Sequence, residues 1–185
     1  MKEDSSDTHL LREMQEGSHH AFDKLFYKYG ENLFCFAFSI LKSSDCAKEV
    51  VHEIFIKVWE NRTRMIIHTN LRSYLYKAVK NHSISLLRQR KKEHFNLDDI
   101  LDLSDKKDTT PDAILIENEL DAQFTKVFQQ LPARAKLAFK LHRVDGLKYT
   151  EIAEIMEISV SAVEKNIALA LSLLHKGLFP KVTAN

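Results

Sequence analysis

The chain has 185 residues, 44% hydrophobic and 29% charged, with a formal net charge of +1. This is the balance of a folded globular protein of one ordinary or two small domains, and it excludes a disordered chain. Two cysteines, four glycines and three prolines exclude a disulfide framework, disfavour a sandwich of short strands and leave no Gly-rich phosphate loop. No apolar run reaches the ~18 residues that span a bilayer, and the polar start Met1–Asp7 does not read as a signal peptide, so a cytoplasmic protein is expected.

Taken in chain order, a short helix is expected at about 8–16. A second helix, 22–41, is marked by Phe22, Leu25, Phe26, Tyr29, Leu33, Phe36, Ala37 and Ile40 at steps of three and four. A third, 45–60, carries the stripe Val50, Val51, Ile54, Phe55, Val58 and Trp59, with Asp45 as its expected N-cap. Arg62–Thr69 reads as a loop. Helix 70–90 follows, with Leu71, Tyr74, Leu75, Ala78, Val79, Leu86 and Leu87 inward and Arg72, Lys77, Lys80, Asn81, Arg88 and Arg90 outward. Residues 93–112 are polar, acidic and weakly periodic, and read as a linker that spans ~70 Å when extended. Beyond Pro111 come a helix through Ile114, Leu120, Phe124 and Leu131, then helices at about 133–143, 149–156 and 160–177. The turn Asp145-Gly146 lies among them, and either Ser159 or Ser161 caps the last helix. The fold class is therefore all-α, with two small helical domains, 1–92 and 113–185, on an acidic linker.

The near-zero net charge conceals a strong pattern. Residues 61–92 carry nine basic and no acidic residues, whereas 93–121 carry ten acidic and two basic ones. A 32-residue acid-free window attracts polyanions. The segment 149–167 has the spacing of a helix-turn-helix: Ala153 at the close approach, Ile158 in the turn, Val163 and Ile167 facing back. That arrangement exposes the N-terminus of the second helix, whose N–H groups suit phosphate and whose first turns reach base edges.

Four blocks in order then resemble the extracytoplasmic-function (ECF) subfamily of sigma-70 RNA polymerase sigma factors. Ala21–Tyr29 resembles the start of the first conserved region, and Asp45–Glu60 the core-polymerase-binding helix. Leu71–Asn81 with Leu86–Lys92 resembles the −10 region, and Leu131-Pro132 with Asp145–Met156 the −35 helix-turn-helix. The resemblance implies a DNA-binding subunit without catalytic residues, cofactor or metal. It binds core polymerase (β′ clamp helices and β subunit) and promoter DNA, it is paired with an anti-sigma factor, and it aids melting by capturing flipped bases. It assigns Asp45, Glu49, Glu53, Lys57 and Glu60 to polymerase docking. Arg72, Lys77, Lys80, Asn81, Arg88 and Arg90 go to the −10 element, with Asn81 in a base pocket walled by loop 62–69. Tyr149, Thr150, Ser161, Lys165 and Asn166 go to the −35 element. The sequence departs from the family in three places. The recognition helix lacks the usual arginines, Tyr74 stands where many relatives have Trp, and Cys46 replaces a small residue. The alternatives are a stand-alone helix-turn-helix regulator, which leaves helix 45–60 and the basic window unexplained, and a metalloenzyme, which the absence of His-Glu-x-x-His and Cys-x-x-Cys disfavours.

Overall fold

The computed structural model describes residues 3–65, 70–91 and 119–179. Among these the fold is all-α. The chain divides into two compact units, Met1–His94 and Phe95–Asn185. The expected linker, 93–112, and Ile66-Ile67 of the expected loop lie outside the described residues.

The first unit is built from α1 (Glu3–Gln15), α2 (His19–Leu41), α3 (Ser44–Asn61) and α4 (Leu71–Lys91). Gly17, at φ +99, makes the tight turn out of α1, and Ser18 then caps α2 by accepting from the Ala21 N–H at 3.2 Å. α2 ends when Lys42 adopts the left-handed conformation, φ 52, and donates its N–H to Phe38 O at 2.9 Å. Ser43 is the N-cap of α3, accepting from Cys46 N at 3.4 Å. Asp45, expected in that role, lies instead inside the first turn, where its carboxylate still favours the positive end of the helix dipole.

The core forms where α2, α3 and α4 meet. Leu25, Leu33, Phe36 and Ala37 of α2 pack with Val50, Val51, Ile54, Phe55 and Val58 of α3 and with Leu75, Tyr76 and Val79 of α4. Phe36 and Tyr76 are both fully buried, with ring centroids 5.1 Å apart. α1 is tied on by a polar knot: the buried Asp7 accepts from the Tyr29 hydroxyl and from Lys28 Nζ.

The second unit contains α5 (Glu119–Gln129), α6 (Ala133–Arg143), α7 (Tyr149–Met156) and α8 (Val160–Leu178). Leu131, Ala135, Ala170 and Leu174 form one core cluster, with Val127, Phe128, Phe139 and Leu173 packed against it. Gly177 brings α8 against α5. A Cβ there would lie 2.5 Å from Val127 Cγ1, and Gln123 Nε2 donates to the Gly177 carbonyl at 3.0 Å. The turn after α6 closes on Gly146, φ 65, with Leu147 N bonded to Leu141 O at 3.0 Å and His142 Nδ1 3.0 Å from Leu147 O.

Candidate nucleic-acid interface

Three exposed helix faces carry the chemistry. Each follows from which residues the core consumes.

On α4 the core takes Leu71, Leu75, Tyr76, Val79 and Ile84. At 3.6 residues per turn, the opposite line runs Tyr74, Lys77, Asn81, Ser85, Arg88, and all five are exposed. Two cations, an amide and an aromatic ring 40% exposed thus form one ridge. Cations suit phosphates, the amide pairs with a base edge and the ring offers a stacking face. Lys80, expected on this face, is only 2% exposed. It projects into the unit from the inward side of α4, because the inner stripe is wide enough to include Ser73, Lys80 and Ser83 as well as the apolar residues. Arg72 is half-buried in the first turn, off the ridge, and Arg90's side chain lies outside the described residues. Tyr74, read from periodicity as an inward residue, faces outward.

The segment leading into the expected base-pocket loop is held at both ends. Arg62 stacks its guanidinium 4.1 Å from the Trp59 ring centroid and donates from Nη1 to the Trp59 carbonyl at 2.8 Å. Gln15 of α1 donates to the Met65 carbonyl at 2.9 Å, across fifty residues of sequence. Asn70 caps α4, its side-chain oxygen accepting from Ser73 N at 2.7 Å. Sequence reasoning missed Gln15, Arg62 and Asn70. Only the Asn-x-x-Ser spacing before a helix signalled one of them.

On α3 the exposed line is Asp45, Glu49, His52, Ile56 and Glu60, opposite the buried Ala47, Val50, Ile54 and Val58. Ile56, 54% exposed, is an apolar residue among charges. Glu53 and Lys57 flank this line on the side toward α4. Glu53 Oε2 lies 3.3 Å from Lys57 Nζ and 3.0 Å from His82 Nε2, so the carboxylate bridges α3 to the residue after Asn81. His82 is half-buried in that bridge.

In the second unit α7 and α8 form the helix-turn-helix. Glu151 at N3 of α7 reaches back to accept from Lys148 N at 2.6 Å. α7 ends on Glu157, φ 58, and three residues later α8 has begun. Ser159, not Ser161, caps α8, accepting from Ala162 N at 3.2 Å. Only residue 159 has the extended backbone that a cap requires. Ser161 is thereby left exposed, as are Thr150 and Lys165. Tyr149 is half-buried with its ring centroid 4.9 Å from that of His142. Asn166 is turned aside from this face, and its amide donates to the Ala162 carbonyl of its own helix at 2.8 Å.

Among the described residues no group of three or more His, Cys, Asp or Glu side chains is placed to hold a metal ion, and no helix is long and apolar enough to cross a membrane. Two family models match the chain, sigma-70 region 2 over residues 25–93 and sigma-70 region 4 over residues 121–174. Between them they cover well over half the chain and contain all three exposed faces. The chain belongs to the sigma-70 family. Its relatives include the RNA polymerase sigma-H factor of Pseudomonas aeruginosa, 26% identical over 182 residues that cover 94% of each chain. They also include the ECF RNA polymerase sigma-E factor of Escherichia coli K12, 25% identical over 98% of this chain and 99% of that one. This sigma factor is thus of the ECF type. Two solved structures share its fold. CnrH in complex with the cytosolic domain of CnrY has a TM-score of 0.64 at 21% identity, covering 95% of this chain and 99% of that one. Bartonella quintana RpoE in complex with the anti-sigma factor NepR has a TM-score of 0.61 at 23% identity, covering 86% and 98%.

Proposed function

We propose that this sigma factor works by dividing its exposed faces among three partners. The α3 face, with Asp45, Glu49, Ile56 and Glu60 on its line and Glu53 and Lys57 at its edge, docks core RNA polymerase on the β′ clamp helices. The α4 ridge engages the −10 element: Lys77 and Arg88 hold phosphates, Asn81 pairs with an unstacked base, and Tyr74 stacks on a base exposed by melting. Arg72 and Arg90 add charge beside it. In the second unit Ser161 and Lys165 of α8 enter the major groove of the −35 element, with Thr150 and Tyr149 at its edge. The two units act as separate domains, 1–92 and 113–185, joined by the acidic segment 93–112. The protein performs no reaction of its own, acts in the cytoplasm and is held in check by an anti-sigma factor, as Bartonella quintana RpoE, which shares its fold, is bound by the anti-sigma factor NepR.

The observation that carries this reading is the α4 ridge, where cation, amide and aromatic ring share one exposed line and no carboxylate interrupts it. Sequence-reading at a melted element needs that combination: charge for affinity, and a base-edge partner and stacking face for capture. The test is reconstitution with core polymerase, followed by run-off transcription across a genomic promoter pool. The expected result is a 1:1 complex that starts RNA at a defined subset of templates. A chain that neither joins core polymerase nor alters where RNA begins refutes the proposal. DNA binding as a dimer without polymerase would favour the helix-turn-helix regulator instead.

A further inference from the structure

α8 buries Val163, Ile167, Ala170 and Leu174. The line opposite them runs Ser161, Lys165, Ala168, Leu169, Ser172, and all five residues are exposed. These five residues include a single cation, no arginine and, with Asn166 turned aside onto the Ala162 carbonyl, no side-chain amide; the next cation on the line, Lys176, lies in the last turn, far from the helix start. In the major groove guanine is read by bidentate Arg or Lys and adenine by Asn or Gln. Lys165 apart, the face is equipped for neither. What it presents is hydrocarbon: Leu169 is 43% exposed, with Ala168 beside it and Lys165 one turn earlier. The apolar feature that a base pair shows in the major groove is the C5-methyl group of thymine, and Ala and other apolar side chains contact it.

We infer that Ala168 and Leu169 read thymine methyl groups, so that the −35 specificity of this sigma factor is set by the position of thymines more than by guanines. The inference rests on the assignment of α8 to the −35 element. Lys165 anchors the helix through charge, and Leu169, four residues on along the same face, gains only when a methyl group meets it. Water on an exposed leucine is released by that contact, and a pyrimidine without the methyl leaves the leucine facing a gap.

The test uses the reconstituted holoenzyme and the strongest template from the promoter pool. Each thymidine of the −35 region is replaced in turn by deoxyuridine, which removes the methyl and nothing else. The expected result is about fourfold weaker promoter binding at each contacted thymine, the size of one buried methyl group. That penalty should vanish at one position in Leu169→Ala or in Ala168→Ser. Absence of any deoxyuridine penalty in the natural sequence overturns the inference, as does an equal penalty in the natural sequence and both variants. Lys165→Ala separates the two levels. If it leaves dependence on the −35 region intact, α8 does not read DNA and the assignment itself falls. If it weakens that dependence while deoxyuridine has no effect, only the thymine inference falls.

Discussion

Reversing one charge on α3 tests the docking face without unfolding the domain. Glu53→Arg removes the ion pair to Lys57 at 3.3 Å and the contact with His82 Nε2 at 3.0 Å, and places a cation beside both side chains. The side chains involved are 42%, 53% and 27% exposed, so solvent screens them strongly. Pairs of this kind contribute about 0.2–1 kcal/mol each. The cost to the fold is therefore roughly 1–2 kcal/mol, against about 5–15 kcal/mol of total stability. Melting should fall by roughly 5–10 °C, with helical circular dichroism unchanged below the transition. Docking should suffer more. Losing one member of a charge pair desolvated in an interface costs about 2–5 kcal/mol, which is roughly thirtyfold in affinity at the least. The assay is a titration of labelled protein with core polymerase, with Glu53→Ala alongside to separate loss of charge from reversal. A folded Glu53→Arg variant that binds core polymerase within about twofold of the natural chain would refute the docking assignment.

Asn81→Ala should lower transcription by about tenfold on duplex promoter but less on a template already melted over the −10 element, since a base-edge partner contributes about 1–3 kcal/mol. Equal loss on both templates would remove base capture in melting as its role. Gly177→Ala should destabilise the second unit by about 1 kcal/mol in a denaturant melt. The new methyl falls 2.5 and 2.6 Å from the two γ-carbons of Val127, and that overpacking outweighs the gain of about 1 kcal/mol in helix propensity. Adding Val127→Ala should relieve the clash, and a Gly177→Ala chain more stable than the natural one would disprove the close approach of α8 to α5. Ser159→Ala should cost about 1 kcal/mol through loss of the α8 cap, whereas Ser161→Ala should cost almost nothing in the same thermal melt. Comparable losses in the two variants would contradict the capping geometry.

The sequence alone determined the helices and their order. Their inward faces recur every three or four residues, and that period is a local property of the chain. Residues 133–143 and 149–156 are helical with the very bounds that periodicity gives. The separation of charge was equally legible, because a basic window next to an acidic one needs no coordinates. What sequence could not decide was the outcome of competition among neighbours. Ser43 caps α3 although Asp45 is also a good capping residue, because only residue 43 sits in extended backbone next to the left-handed Lys42. Lys80 and Tyr74 exchanged sides of α4 relative to what their polarity suggests, since packing of α4 against α2 and α3 sets which arc of the helix is covered. Gln15 holding Met65 and His82 holding Glu53 join residues distant in the chain, and nothing in either local pattern specifies its partner. Periodicity states that a helix has an inside. Only the helices packed against it decide where that inside ends, and therefore which cation, amide or ring is left exposed.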